Sequence, residues 1–456
     1  LKIFLCFGKI EKNIKKVKIM SDIIVAGAGH GGLASAALLA KAGHSVTVYE
    51  KNKKEDLGHD WEDRFTFSVL TEILGISEKQ LPDDIWCYRG DCAFVSPSKR
   101  KKIIINYTSE NRQRIMLRKP LIKMLVDYAG KAGVKFSFET EIIAPLINKN
   151  RVEGILTDKG KVFADLVIDA AGVYSPLRAN LPKYFNIENA PKNGDVFYAY
   201  RAYFNKTENI TPEAPFEVYL YHEGEKGLSW FYTADNHIDV LIGRIYPLSD
   251  EKIKEQLEIF KTDHPWLGDK ILSGGNRGVI PVRRPLPVMV ADGYAAVGDS
   301  AFMTTPMNGM GIDLSLNAGR LLADTVIKAK TDEYTANVLW EYNRDFHIMY
   351  GGDTAKNEGL KNSLLTLPGK GVDFLFENDV IQSSDLAGAG KNTNIGALLG
   401  KFTRGMKNPS YFFTIINGLL KGAKTSALYK APPMSYDLDE ILKWKNHIEE
   451  NDISIN

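Results

Sequence analysis

Cysteine is scarce in this chain. Cys6, Cys87 and Cys92 are the three among 456 residues. That excludes a disulfide framework, and Cys87 and Cys92 lack the second pair that a zinc site of this spacing needs. Reduced thiols in a cytoplasmic protein are the expectation. No apolar run reaches the roughly eighteen residues of a membrane span. Excess charge is missing too: 58 Lys and Arg stand against 56 Asp and Glu, with no basic stripe for a nucleic acid. We find no internal repeat, no low-complexity tract, no Ser-His-Asp set and no metal-ligating cluster. A second nucleotide fingerprint is also missing, which argues against a dedicated NAD(P)H domain.

What is present is ordinary for a globular protein, with 44% hydrophobic and 25% charged residues. This length predicts two or three domains. The first twenty residues hold six Lys and one Glu. There the apolar stretch Leu1 to Gly8 precedes the lysines, the reverse of a secretory signal. Met20 reads as the native start and residues 1–19 as a loose leader.

The chain is organised around residues 22–50. Residues 22–26 are apolar and read as a buried strand. Gly27, Gly29 and Gly32 follow as G-x-G-x-x-G, with Gly31 inside the motif. Leu33, Ala36, Ala37 and Ala40 then form one helical face, and residues 46–49 a second strand that ends at Glu50. Gly27 permits the tight turn, Gly29 lets backbone approach a pyrophosphate, and Gly32 lets the helix lie close on the sheet. Free N–H groups at the helix start suit phosphates. Glu50 suits an adenosine ribose and repels a 2′-phosphate, so FAD or NAD is expected rather than NADP. His30 reads as a solvated helix-start residue.

Downstream, Gly58 to Phe65 reads as a surface ion-pair cluster of Asp60, Glu62, Asp63 and Arg64. Arg64 stands where flavoproteins often place a pyrophosphate ligand, and His59 is a candidate to face the active site. Residues 121–129 have helical periodicity, with Arg118 and Pro120 at the start. Strands are expected at 134–138, 142–147, 152–157 and 161–163. A buried strand at 165–169 runs into a glycine turn at Gly172. From 196 to 232 aromatic residues crowd together, with strands expected at 196–204, 216–221, 228–233 and 238–243. They read as a sheet covering a ligand cavity. Helix pattern returns at 251–262 and a strand at 274–282. A long helix follows Pro306, Gly309 and Gly311, with a further helix near 333–349. After 355 the pattern loosens, and Gly388 to Gly390 reads as a loop. Residues 411–424 form an apolar helix flanked by lysines, a core or dimer helix that could also touch a membrane surface.

Three of these segments together resemble the glutathione-reductase-like FAD fold of aromatic hydroxylases and geranylgeranyl reductases. They are the glycine motif at 27–32, Asp169 to Arg178, and Gly298-Asp299 with Pro306, Gly309 and Gly311. The resemblance spans residues 22 to about 328. It implies an α/β chain with a discontinuous Rossmann-like FAD-binding domain at 20–80, 110–190 and 275–355. It implies an inserted antiparallel-sheet substrate domain at 81–109 and 191–274, and a helical C-terminal region at 356–456. It further implies that Asp299 binds a ribityl hydroxyl and that the helix after Pro306 points its N-terminus at the N1–O2 edge of the flavin, favouring negative charge there. Arg118 and Gly172 join the cofactor-binding set on the same ground. Two positions depart from the pattern. Ala171 stands where an Asp is usual, and Phe302 stands where hydroxylases carry His. Phe302, Pro281 and Trp230 look more like the reductase group, although little of that group's Tyr-x-Trp-x-Phe-Pro survives beyond Trp230 and a later Gly243.

The expected activity is hydride transfer between FAD and an apolar organic substrate lying by Trp230 and Tyr232. Electrons would come from NAD(P)H or a ferredoxin-like carrier. A flavin monooxygenase using NAD(P)H and oxygen is the alternative, and a non-catalytic dinucleotide-binding protein a third.

Overall fold

The computed structural model describes residues 22–81, 85–87, 90–106, 114–329, 332–386, 395–453 and 455. The expected leader at 1–19, Met20 and the glycines at 388–390 lie outside the described residues.

Five short strands run parallel, the central ones Asp22–Ala26 and Leu166–Asp169 almost wholly apolar and buried. Asp22–Ala26 lies between Ser45–Tyr49 and Leu166–Asp169. Lys135–Ser137 extends one side, and Tyr294–Ala296 extends the other. Val290–Ala291 closes that edge antiparallel. The chain thus returns to this sheet from three distant stretches. Helix His30–Lys41 turns its small-residue face inward and meets helix Ile312–Ala329. A Cβ on Gly31 would stand 2.7 Å from the Ser315 carbonyl oxygen. The two helices cross where neither carries bulk.

A second, seven-stranded sheet is built from the aromatic stretch. Its order is 267–281, 196–206, 238–244, 227–233, 216–220, 92–95 and 102–105. The last two strands come from the segment 81–109, and Cys92–Val95 joins Phe216–Leu220 in parallel. Leu267–Pro281 begins seven residues ahead of the expected start. Its register against Val196–Lys206 shifts near Gly274, where the strand bulges. Alternation divides the side chains between two faces. Phe231 and Tyr219 pack under helix Asp250–Asp263 through Phe260. Leu228, Trp230 and Tyr232 face the other way.

The C-terminal part is helical, and it is more regular than its sequence pattern. Helix Ala336–Phe346 continues through a π turn at His347–Gly351 into Gly352–Thr366. Helix Pro409–Lys430 crosses the latter closely. A Cβ on Gly359 would stand 2.6 Å from both the Gly418 carbonyl oxygen and the Gly422 Cα. Contact through glycine leaves no apolar stripe in the sequence, which is why periodicity fades after 355.

Candidate active site

The glycine turn shows what it is for. Gly27 has φ +94°, and a Cβ there would sit 2.6 Å from the Ala170 carbonyl oxygen. No L side chain suits that conformation, and none fits. Gly29 is the N-cap of helix His30–Lys41. It makes no side-chain cap, and the first turn holds no acid. The orphan N–H groups at this helix start are thus left for an anion. Gly32 lies on Val25 and Ala170, while Gly31 serves the helix pair described above.

Glu50 is buried. One carboxylate oxygen accepts from the Ala28 N–H at 2.9 Å. The other accepts from the Asn52 N–H and its side-chain amide at 2.9 and 2.8 Å. A carboxylate has about four acceptor positions, so one remains for a ribose hydroxyl. The glycine turn and the ribose acid are therefore locked together before any ligand arrives.

The middle motif is a clamp. Buried Asp169 accepts hydrogen bonds from Ser175 Oγ (2.6 Å), Tyr294 OH (2.7 Å), Ser300 Oγ (2.9 Å) and the Ala171 N–H (3.1 Å). The Gly172 N–H donates to Ser300 Oγ at 2.9 Å. Arg178 donates to the carbonyls of Ser300 and Val173. Its guanidinium stacks over Phe302 at 4.4 Å, and Arg283 covers the same ring at 4.8 Å. The Ala171 departure is thereby explained: Asp169 and Ser300 tie this turn to the next. Phe302 is buried in that tie and turned away from solvent.

The turn so held carries Asp299. Burial pushes its carboxyl up to about 6, against the pull of Arg118 and with the push of Asp63. Pro306 is buried at the next turn. Gly309 has φ +69°, and a Cβ there would stand 2.9 Å from Ile280 Cγ2. A Cβ on Gly311 would stand 2.7 Å from Thr304 Cγ2. The helix proper begins at Ile312, and Asp313 in its first turn accepts from the Thr66 N–H at 2.9 Å.

The stretch Gly58 to Phe65 and the position of His30 correct two expectations. Asp60 does make a half-exposed ion pair, with Lys119 at 2.8 Å, but Glu62 and Asp63 are not on the surface. Asp63 is buried and holds Arg118 by two hydrogen bonds of 2.6 and 2.7 Å. Glu62 is buried with Arg201, which also binds Asp239 at 2.9 and 2.7 Å. His30 is not solvated either. Its Nε2 is buried without a protein hydrogen-bond partner. Burial, then the Arg118 charge, lower its pKa to about 4, so the ring is neutral at pH 7. Arg118 therefore influences His30 and Asp299 together, from between the two cofactor motifs. Arg64 stands over the Phe216 ring at 5.3 Å, on the inserted sheet. His59 stacks on Trp61 with centroids 4.8 Å apart.

Trp61 escaped the sequence reading. It fills the space over Gly278, where a Cβ would lie 2.5 Å from its ring. It joins Tyr203, Leu241, Ala199, Trp230 and Ile280 in one apolar cluster. Tyr232 meets Phe216 edge-on at 5.5 Å further along the face. The indole N–H groups of Trp61 and Trp230 are buried and lack a protein acceptor, as donors facing a ligand or water would be. No local pattern marks a lone Trp as such a wall. Cys92 is a buried thiol pushed up to about 12 by burial and is inert.

Comparison with known proteins agrees with this geometry. The model of the FAD binding domain family matches residues 20–265. Digeranylgeranylglycerophospholipid reductase of Sulfolobus acidocaldarius is 24% identical over 343 residues, covering 71% of this chain and 75% of the relative. A geranylgeranyl bacteriochlorophyll reductase-like protein of Thermoplasma acidophilum superposes with a TM-score of 0.69 at 19% identity, over 88% of this chain and 99% of the other. PqsL of Pseudomonas aeruginosa, described as a probable FAD-dependent monooxygenase, gives a TM-score of 0.55 at 18% identity over 76% and 97%. The glycine turn, the remaining acceptor position on Glu50 and the clamped Asp299 fit FAD, and this chain belongs to the FAD binding domain family as an FAD-dependent oxidoreductase.

Proposed function

We propose that the protein passes a hydride between FAD and an apolar organic substrate lying along the Trp230 face of the inserted sheet, as geranylgeranyl reductases do. One observation carries this reading. Ile280 touches the Gly309 turn and also belongs to the cluster of Trp61, Tyr203 and Trp230. The turn assigned to the flavin edge and the aromatic face thus share a wall. Bound FAD supplies the two-electron chemistry, while Trp61, Trp230 and Leu228 exclude water and orient the substrate. The name of the Sulfolobus relative makes an unsaturated isoprenoid lipid the first class to test. Electrons reach the site from a diffusing donor, nicotinamide or ferredoxin-like, a reading supported by the single nucleotide fingerprint. The scarcity of cysteine supports a cytoplasmic location.

The monooxygenase reading has a specific source in the PqsL likeness. The position at which hydroxylases carry His is here Phe302, sealed between two arginines, and this favours the reductase. The test is to reduce the FAD-loaded protein without oxygen and add a geranylgeranyl lipid. Return of the oxidised flavin spectrum with a saturated product is expected, and Trp230→Ala should slow it without changing FAD content. Labelled oxygen appearing in the product in air would overturn the proposal in favour of the hydroxylase.

A further inference from the structure

We propose that the outer face of helix Pro409–Lys430, with the end of the helix before it, docks the protein on a membrane rich in anionic lipid. Charge is the first observation. From residue 386 to 436 the chain has seven Lys or Arg and no Asp or Glu, in a protein with 58 basic and 56 acidic residues overall. Lys401 and Lys430 are paired with Asp385 and Asp353 from outside this stretch. The second is an unpartnered apolar face. Phe413 and Leu420 are 51% and 59% exposed, two turns apart on one side of the helix, and Leu419 beside them is 37% exposed. Phe402 and Met406, at the end of the preceding helix, are 47% and 39% exposed. That helix lies on the longer one where Gly405 meets Phe412. Lys407 and Lys424 are exposed beside these residues.

The opposite face is fully employed. Phe412 and Ile415 are buried with Leu375, Phe376 and Ile103, so the exposed set is surplus to the core. Scattered apolar residues on a surface need no explanation, but a face of them bordered by one sign of charge does. No helix among the described residues is long and apolar enough to cross a membrane. An amphipathic helix with basic flanks lies in the interface instead, its apolar side chains among acyl tails and its lysines at anionic headgroups. A second copy of the chain fits this face poorly. A two-fold contact would set the segment against itself, with no acid in it to meet the lysines.

The face also adjoins the substrate wall. Phe94 and Leu386 pack both in the cluster beneath this helix and in the cluster of Phe216, Tyr232 and Trp230. Docking here would bring that wall to the bilayer surface, where a lipid substrate resides. This last step rests on the proposed substrate class, whereas the docking itself does not.

Flotation of the full FAD-loaded chain tests the docking, using vesicles of phosphatidylcholine with and without phosphatidylglycerol. The protein should float with the anionic vesicles only, and high salt should release it. The pair Lys407→Glu and Lys424→Glu should lower partitioning by at least about tenfold. The pair Phe413→Ser and Leu420→Ser should do the same, with FAD content and circular dichroism unchanged for both. Equal binding to neutral vesicles, no binding at all, or unchanged partitioning of both variants would overturn the proposal. So would a dimer in sedimentation that Phe413→Ser and Leu420→Ser split into monomers. Because turnover is not measured, failure of the substrate reading leaves this result standing.

Discussion

Asp63 grips the guanidinium of Arg118 through two parallel hydrogen bonds of 2.6 and 2.7 Å, fixing an arginine that acts on both His30 and Asp299. Paired forks of this kind are directional as well as strong. The pair joins strand Glu62–Arg64 to the start of helix Arg118–Lys131. It sets Arg118 in place independently of any ligand.

Acid should therefore weaken the fold through Asp63. Burial pushes its carboxyl up, but the charge and hydrogen bonds of Arg118 together hold it below the usual carboxylate range. A depressed acid stabilises the fold fully above its unfolded value of about 3.9 and loses that contribution as pH falls through the lower folded value. Asp63→Asn should cost about 1–3 kcal/mol at neutral pH, as a part-buried charged hydrogen bond is lost. Urea midpoints at neutral and acid pH would show it: the variant should lose less stability than the wild type on acidification. Equal losses would mean that the pair carries no weight.

Glu50 and Asp299 should both matter to FAD, in different ways. Glu50→Ala removes a charged acceptor, about 1.5–3 kcal/mol, or roughly tenfold to a hundredfold in dissociation constant. Asp299→Ala should weaken binding similarly. Glu72→Ala, on an exposed helix position, is the control, since Glu62 is buried and unsuitable. Flavin titration of the three apoproteins decides the matter, and indistinguishable affinities would refute the assignment. Asp299 adds a pH signature to the apoprotein. An acid raised to about 6 in the fold costs nothing below its unfolded value. The cost grows as pH rises towards 6 and is complete above it. Apo Asp299→Asn should lack that decline.

Phe302→His should not create a hydroxylase. The ring is buried, with Arg178 and Arg283 on it. An imidazole there would place a polar group between two guanidinium groups. We expect a loss of about 2–4 kcal/mol, seen as a lower melting temperature, and no oxygen incorporation by the folded fraction. A variant as stable as the wild type would show that the packing is not selective.

The sequence by itself determined the cofactor frame. The turn at Gly27, the small face of Leu33 to Ala37, the acid at Glu50 and the ordered returns at Asp169 and Asp299 are local features. Each is set by backbone conformation or by periodicity within a few residues, so each is legible without knowing what lies opposite. Four strands of the aromatic sheet, from 196 to 244, were legible for the same reason within about two residues, whereas Leu267–Pro281 starts earlier than expected and Cys92–Val95 and Lys102–Ile105 were not read as strands. Tertiary structure decided everything that depends on a distant partner. Glu62 and Arg201 are 139 residues apart, and Asp63 and Arg118 are 55 apart. Charged residues on paper read as surface, and only packing reveals that these are buried and paired. His30 reads as solvated until the assembled fold buries its Nε2 and brings it within the field of Arg118. The helices meeting at Gly359 and Gly422 touch through atoms that carry no hydrophobic signal at all. Burial is a property of the assembled chain, and the electrostatics of this site follow from burial.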